Sequence, residues 1–126
     1  MEKQIINTTN APAPIGPYNQ AVKAGNMLFV SGQIALDPAS GQLVTLGIAD
    51  ETHQVMKNIQ AVLTAADMGF NEVVKTTIFL TDMNTFPQVN EVYGSYFTDN
   101  YPARETVQVA ALPKGVNVEI SVIAAK

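Results

Sequence analysis

Apolar positions along this chain recur with two different periods, and the switches between them lay out the expected elements. Ile48, Thr52, Val55, Met56, Ile59, Val62, Leu63 and Ala66 return every three or four residues, which is one apolar stripe on a helix. Asp50 can cap its start, Glu51 sits where the helix dipole favours negative charge, and Gly69 suits a left-handed stop. A second helix should contain Phe86, Val89, Tyr93, Tyr96 and Phe97, with Asn84 or Thr85 as its cap and Pro87 in its first turn. Alternating or β-branched stretches predict strands over 4–6, 20–24, 27–33, 73–81, 104–110 and 116–124, with a shorter one near Leu43 and Val44. Gly25-Asn26 marks a tight hairpin in which both residues tolerate left-handed backbone. Three prolines and Gly16 between Ala11 and Pro17 exclude regular structure there.

The order is hairpin, helix, strand, helix, strand, strand. A helix between two strands makes a right-handed crossover, so two such units place both helices on one sheet face. The opposite face must then meet solvent or another subunit. An α+β fold in one domain, 1–126, is expected, because the chain is too short for two cores. At this length folding buries roughly two-thirds of the unfolded surface, enough for a core without staples.

Composition narrows the chemistry. Charged residues make up only 14% against 47% apolar, which leans toward an oligomer whose interfaces hide part of the skin. The net charge of −4 and the lack of any basic run argue against a nucleic-acid groove. With no cysteine there is no disulfide, thiolate catalyst or thiolate metal site, and the lone His53 has no histidine partner at ligand spacing. No stretch approaches ~18 apolar residues, so a membrane span is not expected and the default address is the cytoplasm.

One residue stands out against this background. Arg104 is the only arginine beside six lysines, and it opens a strand after Pro102-Ala103. Its planar, permanently charged fork suits a planar anion such as a carboxylate. Glu119 interrupts an otherwise apolar final strand. Parity puts Arg104, Thr106 and Gln108 on one face of their strand, and Asn117, Glu119 and Ser121 on one face of theirs. Both sets are expected to point away from the helices, with Val107 and Val109 turned toward them. Parity leaves open whether Arg104 and Glu119 meet within one subunit or across an interface. It equally leaves open a plain ion pair of Arg104 with Asp99, Glu105 or Glu119.

Four segments carry a resemblance. Gly16-Pro17-Tyr18-Asn19-Gln20-Ala21-Val22 and Leu28-Phe29-Val30-Ser31-Gly32-Gln33-Ile34 resemble N-terminal signatures of the RidA/YjgF family, the reactive-intermediate imine deaminases. Asp82-Met83-Asn84-Thr85-Phe86, followed by Val89-Asn90-Glu91-Val92-Tyr93, is similar to that family's second-helix segment, and Pro102-Ala103-Arg104 with Val118-Glu119-Ile120 to its C-terminal signature. The resemblance implies a chorismate-mutase-like mixed sheet of about six strands with two helices on one face. It implies a homotrimer with clefts between subunits, in which the last two strands need not pair. It implies hydrolysis of 2-imino acids, such as 2-iminobutanoate and 2-iminopropanoate, to 2-oxo acids and ammonia, with no cofactor and no metal. Arg104 would hold the substrate carboxylate and Glu119 would direct water or shuttle its proton. Tyr18, Ser31, Gly32, Asn90 and Thr106 would complete substrate binding. A trimeric protein that binds small carboxylates without turnover is the alternative. Glu105, Thr106, Asn19 and Ser121 depart from residues common at those places in the family.

Overall fold

The computed structural model describes residues 2–126. In chain order it contains β1 (Lys3–Ile6), β2 (Ala21–Ala24), β3 (Met27–Gln33), α1 (Ile48–Ala65), β4 (Val73–Leu80), α2 (Phe86–Gly94), β5 (Ala103–Gln108) and β6 (Val118–Ala125). The strands form one sheet in the order β1-β2-β3-β6-β4-β5. Neighbours are antiparallel except β4 and β5, which run parallel across the α2 crossover. β6 inserts between β3 and β4, so the last two strands flank β4 and do not pair. β3-α1-β4 and β4-α2-β5 join parallel strands and step the same way along the sheet. Two right-handed crossovers of that kind put both helices on one side.

The core lies between that side and the helices. Leu28 and Val30 from β3, Ile78 and Leu80 from β4, and Val118, Ile120 and Val122 from β6 meet Val55, Met56, Ile59, Val62 and Leu63 of α1 and Val89 of α2. Burial of each such side chain favours folding by about 1.5–3 kcal/mol. The opposite face is uncovered: Ile5, Phe29 and Val107 are 51%, 45% and 41% exposed.

Several local expectations need correction. α1 begins at Ile48 after Gly47, so Asp50 lies within its first turn instead of capping it. Its left-handed stop is Asp67 at φ 58°, and Gly69 is extended. Met68 N–H donates back to Leu63 O at 2.9 Å, and the Met68 side chain is buried, which closes the helix end without a glycine. α2 stops at Gly94, so Tyr96 and Phe97 pack beyond its end. Thr85 precedes α2 without a side-chain cap, its hydroxyl donating back to Asp82 O at 2.8 Å, while the Asp82 side chain accepts from Asn84 N–H at the short turn before it. Near Leu43 there is a single bridge to Leu36 in place of a strand. In the β2–β3 hairpin Gly25 takes a left-handed φ of 61° and Asn26 does not.

Candidate active site

Arg104 is the second residue of β5 and pairs with Thr76 of β4. Thr76 is fully buried beneath α2, where its hydroxyl accepts a 3.0 Å bond from Tyr93. Arg104 therefore shares the helix side of the sheet. This corrects the expected orientation of β5: Arg104, Thr106 and Gln108 face the helices' side, and Glu105 and Val107 face the open side. An edge strand has a neighbour on one flank only, so its polar parity met the rim of α2 instead of water. Gln108 makes the same point, accepting from Met83 N–H at 2.7 Å in the turn before α2.

On that rim the guanidinium is held by orientation, not by charge. Its Nη1 donates to Asn90 Oδ1 at 2.6 Å, and its Cζ lies 5.2 Å from the Phe86 ring centroid and 5.3 Å from that of Tyr93. Cation–π contact of this kind orients the fork while leaving it solvated. No carboxylate among the described residues pairs with it; the ion pair there is Lys75–Glu105, at 3.5 Å. The Glu105 carboxylate, adjacent in sequence, faces the other way and also accepts from Thr77 Oγ1 at 3.4 Å. A groove of about 480 Å³ opens over Arg104, lined by Asn90, Tyr93, Gly94, Tyr101 and Pro102. Burial pushes the Tyr93 hydroxyl above its ordinary pKa, against the opposing pull of the Thr76 bond and the Arg104 charge. It thus stays a neutral donor. Thr106 lies on the same face as Arg104, and its hydroxyl is buried without a partner.

Glu119 lies on the opposite side. It pairs with Phe79, three residues from Thr76 along β4 and so on the other face. Beside it β3 is irregular. The register runs to Val30–Val122 and resumes at Gln33–Ile120, so Ser31 and Gly32 together span one residue of β6. The Glu119 carboxylate fills the space over Gly32: a Cβ built there would lie 2.8 Å from Glu119 Cδ. Glu119 is half-buried and accepts no hydrogen bond from the described residues; burial raises its pKa above the ordinary value. Ser31 donates from its hydroxyl to Asn19 O at 2.6 Å, and its N–H donates to Gln20 O at 2.9 Å. That pins the Tyr18 loop to the bulge. Tyr18, 49% exposed, borders a small cavity of about 40 Å³ with Gly32, Ile15 and Lys114.

The site residues named from sequence thus fall into two groups. Arg104, Asn90 and Thr106 belong to the helix side at the β5 edge. Glu119, Gly32, Ser31 and Tyr18 belong to the open face and the bulge. One protomer does not bring Arg104 and Glu119 together. Phe86, Tyr93 and Tyr101 were missed as site residues. Tyr101, three residues before the only arginine, was the signal available for them. No group of three His, Asp or Glu among the described residues is placed to hold a metal.

The family model for endoribonuclease L-PSP matches residues 8–126. The chain belongs to this family. It is the RidA/YjgF family that the four segments resemble. A RutC family protein of Pyrococcus horikoshii is 53% identical over 98% of each chain. The mouse 2-iminobutanoate/2-iminopropanoate deaminase is 53% identical over 97% of this chain and 90% of the relative. Among solved structures, Escherichia coli TdcF with bound serine superposes with a TM-score of 0.93 at 41% identity, covering 98% of each chain. RidA from an Antarctic Psychrobacter does so at 0.94 and 46%, covering 98% and 99%. The mixed six-stranded sheet with two helices on one face is thus the family's fold. No helix among the described residues is long and apolar enough to cross a membrane.

Proposed function

We propose that this protein hydrolyses 2-imino acids and their enamine tautomers to 2-oxo acids and ammonia, as a cytoplasmic homotrimer with its sites between subunits. The observation that carries the reading is the split constellation. An arginine that pairs with no carboxylate among the described residues lies in a groove on one side, and a half-buried carboxylate that accepts no hydrogen bond from them lies on the other. The names of relatives about half identical over nearly the whole chain support it. Because the halves face opposite ways in one protomer, Arg104 of one subunit works with Glu119 of the next. The apolar open face around Phe29 and Val107 favours such association.

In this mechanism the fork of Arg104 takes the substrate carboxylate through two charge-assisted bonds, with Asn90 fixing the plane of the guanidinium. The imine carbon is thereby held at the opposing half. Water adds its oxygen to that carbon while Glu119 accepts one of its protons. That proton passes to nitrogen, giving a carbinolamine; the proton of the new hydroxyl then moves to nitrogen by way of Glu119, so that ammonia leaves as the C=O bond forms. Burial, which raises the Glu119 pKa, suits a group that takes and returns a proton, and such a role contributes about 10²–10⁴-fold. The reaction needs only water and these side chains.

A non-catalytic carboxylate-binding trimer is the second reading, favoured by the serine bound to TdcF. RNA cleavage fits poorly, since seven cations against eleven acidic residues supply little phosphate neutralisation. The test generates 2-iminobutanoate and 2-iminopropanoate in situ and follows their loss with wild type and Arg104→Ala. Acceleration by wild type that Arg104→Ala abolishes is expected. No acceleration on either imine would leave the binding reading standing.

A further inference from the structure

Glu51 is a buried carboxylate that the mechanism above does not use. It lies in the first turn of α1, is 1% exposed, and is spent entirely on the start of β6. Its Oε2 accepts from Asn117 N–H at 2.8 Å and from Val118 N–H at 3.1 Å, and its Oε1 accepts from Asn117 Nδ2 at 2.8 Å. All three donors lie in the two residues immediately before Glu119.

The location explains why such a group is needed. β3 leaves β6 after the Gln33–Ile120 pair, so at Val118 and Glu119 the sheet supports β6 from the β4 side alone, through Leu80–Val118 and Phe79–Glu119. The turn before it, Pro113–Gly115, holds Lys114 and Gly115 at left-handed φ values of 57° and 68°. A strand end with one neighbour, entered from a tight turn, has backbone donors to satisfy and freedom to shift. The Glu51 carboxylate takes the place of the absent β3 partner. The helix dipole favours negative charge at that position of α1.

We propose that Glu51 is a positioning residue for Glu119, a strap from α1 that fixes the end of β6 so that the water-directing carboxylate stays over Gly32. The proposal rests on the deaminase reading for its catalytic consequence, and on the hydrogen bonds alone for its structural one. Arg104 stands on β5, on the other face and two strands away, so the strap should govern turnover and leave carboxylate capture alone.

The test uses the full chain with Glu51→Ala, Glu51→Asp and Glu51→Gln. Asp retracts the carboxylate by one methylene and keeps the charge. Gln keeps one oxygen for the two backbone donors, and its NH₂ can face a flipped Asn117 amide. Expected for Ala and Asp is a fall in kcat of about tenfold or more, as displacement of a catalytic group by about 1 Å produces. KM and the affinity for 2-oxobutanoate should stay within about twofold, and Gln should recover most of kcat. Amide exchange at Asn117 and Val118 should accelerate by about tenfold or more in Asp and Ala, and little in Gln. Folded Asp or Ala protein with wild-type kcat would overturn the proposal, as would an equal loss of 2-oxobutanoate binding. If Ala does not fold, Asp against Gln decides. Wild type lacking turnover would defeat the deaminase reading instead. Exchange would then judge the strap, with unchanged rates at Val118 in Asp counting against it.

Discussion

Replacing Arg104 by lysine keeps the charge and removes the fork. In the folded chain one guanidinium nitrogen is committed to Asn90 at 2.6 Å while the plane lies over Phe86 and Tyr93, leaving the remaining N–H groups for a ligand. An ammonium has three rotating donors on a flexible stem and cannot keep the Asn90 bond, the ring contacts and two parallel bonds to a carboxylate together. Losing one charge-assisted bond costs about 1.5–3 kcal/mol. Weakened ring contact at a solvated site adds about 0.5 kcal/mol. A total of about 2–3.5 kcal/mol corresponds to a fall in kcat/KM of about 30- to 400-fold. Because Arg104 is exposed and holds no part of the core, the melting temperature should move by no more than a degree or two. The assay is imine disappearance with a dehydratase supplying 2-iminobutanoate, together with calorimetric titration of 2-oxobutanoate. Lysine protein within threefold of wild type in both measurements would refute the bidentate argument, because charge alone would then suffice.

The other predictions concern the opposite half and the open face. Glu119→Gln should lower kcat by about 10²-fold or more while leaving 2-oxo acid affinity within threefold. Since burial raises the Glu119 pKa, wild-type activity should fall as pH drops through a midpoint above 4.5, measured on kcat/KM. The same shift has a stability sign. A carboxyl whose pKa is higher folded than unfolded favours the fold below the unfolded value and loses that contribution as pH rises through the folded one. Glu119→Gln should therefore melt higher than wild type at neutral pH, with the gain shrinking in acid. Gly32→Ala puts a methyl against the Glu119 carboxylate; kcat should drop about tenfold or more while the melting temperature falls only modestly, and wild-type kcat would show that the carboxylate has other room. Phe29→Asp, placed between Val22 and Ile123 on the open face, should convert the proposed trimer to smaller species in light scattering and abolish turnover without touching Arg104 or Glu119.

Much of the architecture could be read from residue periods because burial is one-sided there. The α1 stripe and the alternation of Val118, Ile120 and Val122 both report a single dry face, and both are buried as expected. The β5 strand failed that logic. Its polar residues follow a rim of aromatic and amide side chains on α2, so polarity did not mean solvent. The reach of Glu51 to β6 was hidden for a related reason: a carboxylate in a first helical turn is ordinary, and only the distant end of β6 supplies its three donors. The glycine at Gly32 was legible as a motif, but its cause, a carboxylate from two strands' separation in sequence, is a long-range contact. Arg104 and Glu119 were picked out by residue type and Asn90 through the family resemblance, whereas their division between two sides turned on β5 facing its polar residues to the rim of α2.

That division has a consequence for inheritance. When each crevice draws its cation from one copy and its proton acceptor from another, a lesion in either leaves the undamaged half available to a neighbour. Two alleles, each inactive alone, can then restore some working crevices when expressed in the same cell, and an allele with a lesion in one half spoils no more crevices than its own share of the polypeptide.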